Sequence, residues 1–106
     1  MYSKYYNKII YRDIEGYLAV TDITKKLIAL NSKIKFTKIE KEIIIAHECA
    51  HILLKSFSHS LVWQTVFFDL LKKLKKQYGK DFDKTYINLI KKYNYSEDGI
   101  VYGKLN

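Results

Sequence analysis

The chain has 106 residues, enough for one small domain and too few for a two-lobed enzyme. At 48% hydrophobic and 28% charged residues it can bury a core, which excludes wholesale disorder. Its net charge is +8, from 19 Lys plus Arg against 11 acids, and Arg12 is the single arginine. No apolar run approaches the roughly 20 residues that span a bilayer. The start, MYSKYYNKII, lacks the apolar centre of a secretory signal. One cysteine, Cys49, allows no internal disulfide and no cysteine-only zinc site. These features suit a reducing cytoplasm. The absence of proline and the wealth of Lys, Ile, Tyr and Asn suggest AT-rich coding, which also suits a phage or viral origin.

No linker, repeat or Gly/Ser-rich stretch divides residues 1–106, so one domain is expected. Residues 4–11 carry Tyr5, Tyr6, Ile9 and Ile10 at spacings that suit a short amphipathic helix, while 10–14 reads equally as a strand. Tyr17–Thr21 and Leu27–Asn31 are short apolar runs joined by five mostly polar residues, the pattern of a β-hairpin. Thr37 followed by Glu40 is a capping box and starts a helix expected to run to about Ser56. Ile39, Ile43, Ala46, Ala50 and Leu53/Leu54 are its core-facing residues. Ser58 or Ser60 caps the next helix, which carries Leu61, Val62, Trp63, Val66, Phe67, Leu70, Leu71 and Leu74 and stops at Gly79. Asp81 or Asp83 caps a third, with Phe82, Tyr86, Ile87, Leu89 and Ile90. The tail, Gly99 to Leu105, reads as irregular or a short strand. The expected class is α+β, a small antiparallel sheet on the first helix with further helices after it.

The informative segment is His47-Glu48-Cys49-Ala50-His51, in the middle of the capped helix. Residues four apart lie about 40° from one another around a helix, so both imidazoles face one way and can reach one metal ion. Glu48 is turned by about 100°, which sets its carboxylate beside the metal, where it can take a proton from metal-activated water. This is the HExxH arrangement of zinc peptidases. A firmly held zinc needs a third protein ligand. His59 is the only other histidine, just past the helix end, and Asp69 and Glu97 are the reserve candidates. Cys49 points away from the metal and reads as core packing. Tyr93, Tyr95 or Tyr102 can supply a hydrogen-bond donor to a transition-state oxyanion.

Segment 43–63, IIIAHECAHILLKSFSHSLVW, resembles the SprT-like and WLM metalloproteases, of the minigluzincin type. Their pattern is HExxH, a short insertion, then His-Ser or His-Gly closely followed by an aromatic; here these are His47, Glu48, His51, His59-Ser60 and Trp63. Residues 16–45 resemble the strand–strand–helix approach of the same group and of the ImmA/IrrE family. The resemblance implies a minimal zincin-like fold, Zn2+ on His47, His51 and His59, and Glu48 as general base. It also implies substrate held as an added strand on a sheet edge, for which Leu27–Asn31 is the expected strand. A metzincin is excluded, because Leu54 and Phe57 stand where that clan needs glycine and histidine. No glutamate lies between Glu48 and Glu97, where a thermolysin-type or ImmA/IrrE-like site would use one.

Eight lysines fall between Lys72 and Lys92, namely Lys72, Lys73, Lys75, Lys76, Lys80, Lys84, Lys91 and Lys92. They read as the solvated faces of amphipathic helices. Interleaved with Tyr78, Tyr86 and Tyr93 they also suit a nucleic-acid footprint, and SprT-like proteases act on DNA-attached proteins. The expected function is therefore zinc-dependent peptide hydrolysis, with DNA-associated proteins as a candidate substrate class. The alternatives are a basic nucleic-acid- or partner-binding module with a non-catalytic metal site, and an ImmA/IrrE-like regulator that cleaves one repressor.

Overall fold

In a computed structural model, residues 2–93 are described. They form a small α+β domain of three strands followed by three helices: β1 (Lys8–Arg12), β2 (Ala19–Asp22), β3 (Leu27–Asn31), α1 (Lys38–Leu54), α2 (Leu61–Tyr78) and α3 (Lys80–Tyr93). The tail from Gly99 onward lies outside the described residues.

The sheet order is β1-β3-β2. β2 and β3 form the antiparallel hairpin their patterning predicts, with Thr21 opposite Ile28. Residues 8–12 form a strand, resolving the helix-or-strand ambiguity of the first segment, and it pairs parallel to β3. The sheet is thus mixed, not wholly antiparallel. Asn31 holds the crossover from β1 to β2, its side-chain amide donating to the carbonyls of Ile14 at 2.8 Å and Tyr17 at 2.9 Å. The strand Leu27–Asn31 is central, so the expectation that it offers a free edge is corrected. With both its ladders occupied it has no backbone groups left to pair with a substrate. The strand edges open to an added chain are those of β1 and β2.

Helix α1 begins as its capping box dictates. Thr37 Oγ1 accepts from the Glu40 backbone N–H at 3.2 Å, and Glu40 Oε1 accepts from the Thr37 N–H at 2.8 Å. From Ile43 to Ile52 every residue is buried. A helix apolar on all sides must be wrapped by others, and α1 packs against β2, α2 and α3. Ile28 and Leu30 of the sheet, Ile43 and Ile44 of α1, Phe67 and Leu74 of α2, and Leu89 of α3 join one core. Leu53, expected in the core, is instead exposed. Tyr2 pins the N-terminal segment to α2, its hydroxyl donating to the Leu70 carbonyl at 2.7 Å.

Ser60, not Ser58, caps α2, its hydroxyl oxygen accepting from the Trp63 N–H at 3.2 Å. Gly79 ends α2 at φ 56°, a left-handed backbone that glycine adopts without steric cost. Helix α3 begins at once at Lys80, with Asp81 and Asp83 inside its first turn, where carboxylates favour the helix dipole. No helix among the described residues is long and apolar enough to cross a membrane.

Candidate metal centre

His47 and His51 lie one turn apart on the buried length of α1, and both side chains are fully buried. The third imidazole arrives by a tight chain reversal. Lys55 takes a left-handed conformation, φ 52° and ψ 43°, and its N–H donates to the carbonyls of His51 and Ile52. Ser56 N–H also donates to the His51 carbonyl, at 3.2 Å. The chain then turns back through Ser58 to His59, directly before the Ser60 cap of α2. This C-cap and this N-cap together set the return of His59 over α1.

The three rings converge. His47 Nε2 lies 3.3 Å from His51 Nε2 and 3.3 Å from His59 Nε2. The three nitrogens form the one group of potential metal ligands found among the described residues. Two ligands at 2.0–2.1 Å from a tetrahedral ion stand about 3.3–3.4 Å apart, a separation that the two pairs involving His47 match, with all three donors within 4.8 Å of one another. The His51 Nδ1 contact with the Ser56 carbonyl, 2.9 Å, requires Nδ1 to carry the proton. Neutral His51 then presents a lone pair at Nε2, the tautomer a metal ligand needs. His59 is half-buried, whereas His47 and His51 are fully buried.

Glu48 is fully buried beside the cluster, with Oε2 3.7 Å from His47 Nε2. Its Oε1 accepts a 2.6 Å hydrogen bond from the Thr21 hydroxyl on β2. Burial pushes the Glu48 carboxyl up to about 8, and the Thr21 hydrogen bond acts in the opposite direction. Trp63 is also fully buried, its ring centroid 4.6 Å from those of His47 and His59 and 5.2 Å from that of His51. Phe67 stacks behind it at 5.0 Å. The imidazoles thus have a rigid aromatic wall.

The structure brings together His47, His51 and His59 with Glu48 beside them. It leaves Asp69 exposed on α2, near Lys72 at 3.7 Å and outside the cluster. Cys49 is buried in the core, and burial followed by the nearby Glu48 charge pushes its thiol up to about 12. It is not among the side chains grouped as potential metal ligands. Glu97, Tyr95 and Tyr102 lie outside the described residues, as does the Tyr93 side chain. Sequence reasoning missed Thr21, 27 residues before Glu48, because nothing local distinguishes it from any strand threonine. It also missed the Ser56 carbonyl, since backbone partners leave no compositional trace.

The eight lysines expected at a nucleic-acid surface are all exposed. Lys72 and Lys75 meet Asp69 and Asp83, and Lys73 lies over the Tyr5 ring. Tyr78 donates to Glu42 at 2.7 Å, and Tyr86 stacks on Phe82 with a centroid distance of 5.7 Å. No family model, curated protein or solved structure matches the chain.

Proposed function

We propose that the protein is a minimal zincin-like zinc metallopeptidase, of the kind its HExxH segment resembles. The observation that carries this reading is the convergence of three imidazole nitrogens, two of their separations being 3.3 Å, next to a buried carboxylate. The donor chemistry fits zinc, which His47, His51 and His59 would hold through imidazole nitrogens. When bound there, zinc supplies Lewis acidity that lowers the pKa of a coordinated water to about 7 and polarises a carbonyl.

The chain's own groups do the rest. Glu48 takes the proton released by the attacking water and delivers it to the amine that leaves as the peptide bond breaks. Thr21 keeps one carboxylate oxygen fixed, leaving Oε2 on the His47 side. The same contact brings β2 to the site, so the outer edge of β2, and not the central strand β3, is the place for a substrate strand.

The test uses the full chain loaded with zinc and an unfolded protein such as casein. Glu48→Gln should keep its zinc while cleavage falls by about 10²–10⁴-fold. His59→Ala should lose stoichiometric zinc. Equal cleavage by parent and Glu48→Gln, or a parent that takes up no zinc, overturns the reading. A second reading rests on the exposed lysines of α2 and α3, which suit a basic binding module with a non-catalytic metal. It predicts DNA binding with a steep salt dependence and no hydrolysis of any protein.

A further inference from the structure

Two non-glycine residues among those described have a left-handed backbone, Lys26 at φ 51° and Lys55 at φ 52°. Such a conformation is uncommon for any residue with a Cβ. They stand 29 positions apart in sequence, yet both line one cavity of about 490 Å³. Its other walls are Ile23, Thr24 and Ile52. No carboxylate lines it, and neither lysine is ion-paired among the described residues. Asp22, close by in sequence, accepts from the Lys25 backbone N–H at 3.0 Å.

The cavity adjoins the metal centre through the chain itself. Ile52 follows His51, and the Lys55 N–H is bonded to the His51 carbonyl. On the opposite wall, Ile23 and Thr24 continue directly from β2, whose Thr21 holds Glu48. A peptide laid along the outer edge of β2 therefore runs from the strand that holds Glu48 toward the cavity lined by Lys26 and Lys55.

We propose that this cavity is a specificity pocket for an acidic side chain, aspartate or glutamate, of the peptide substrate. The inference rests on the peptidase reading for its substrate. Its chemistry is charge complementarity: two lysines and, among the described residues, no carboxylate lining a partly apolar cavity, which neutral side chains satisfy less well. The left-handed turns at Lys26 and Lys55 bring both lysines to that cavity from separate elements. The acidic residue would lie a few positions from the scissile bond, at the end of the bound segment nearest the β2–β3 turn.

The test is a scan of fluorescently labelled alanine decapeptides carrying one glutamate, or one glutamine, at each position in turn. Binding to the zinc-loaded Glu48→Gln chain is read by anisotropy, and hydrolysis by the zinc-loaded parent is read in parallel. Lys26→Asn and Lys55→Asn remove the charges with a residue that tolerates the left-handed region. Glutamate should bind roughly five- to tenfold more tightly than glutamine at one or two adjacent positions, the scale of two partly exposed ion pairs. The preference should vanish in the double asparagine variant and shrink in 0.5 M salt, where screening is strong. A flat scan overturns the pocket, as does a preference that survives the double variant or one lost when the peptide C-terminus is amidated. Selective binding without any hydrolysis by the parent would leave the pocket standing and refute the peptidase reading.

Discussion

The contact between Thr21 and Glu48 joins the sheet to the chemistry. A buried carboxyl without a partner is costly, and a hydroxyl donor offsets part of that cost while setting the carboxyl plane. Thr21→Val keeps the shape and removes the donor. It should lower stability by about 1–3 kcal/mol, read by urea unfolding. Turnover should drop about tenfold or more with zinc content unchanged, because a misplaced general base loses rate without losing metal. A variant that keeps full turnover would show that Thr21 does not position Glu48. Thr21→Ser retains the donor and should recover most of the rate.

Helix α1 is a buried rod closed at both ends by local devices, and each can be removed singly. Thr37→Ala deletes the cap that accepts from the Glu40 N–H and should cost about 1 kcal/mol. At the other end, Lys55 holds a left-handed backbone that glycine adopts freely. Lys55→Gly should therefore raise stability by about 0.5–1 kcal/mol, visible as a higher urea midpoint. If the paired-lysine cavity reads acidic side chains, the same variant loses part of that selectivity.

For the molecule as a whole, a metal held as proposed is expected to be a structural partner as well as a catalytic one. Its ligands come from the core of α1 and from the loop before α2, so binding ties two elements that the folded chain alone must hold. Zinc at about 100 times its dissociation constant should add about 2.7 kcal/mol to the unfolding free energy. For a domain near 100 residues that raises the melting temperature by roughly 10–20 °C, and His47→Ala should abolish the rise. Trp63, the single tryptophan, reports the same event, since its ring stands 4.6 Å from those of His47 and His59. Cobalt(II) should quench its emission at one equivalent, and the quenching should be lost in His59→Ala.

Much was legible in the chain before any fold was known. The capping box, the four-residue histidine spacing and the apolar periodicity act within one or two helical turns, where local stereochemistry is sufficient. Hence α1, the β2–β3 hairpin, the helix stop at Gly79 and the shared face of His47 and His51 follow from neighbouring residues alone. Other features depend on residues far apart in the chain. The parallel pairing of Lys8–Arg12 with β3 makes β3 central and leaves β2 as the edge beside Glu48. The Thr21 hydrogen bond and the meeting of Lys26 with Lys55 at one cavity likewise arise from packing. Such contacts form where the burial of a common core brings distant segments together, and no short-range pattern records which segments those are.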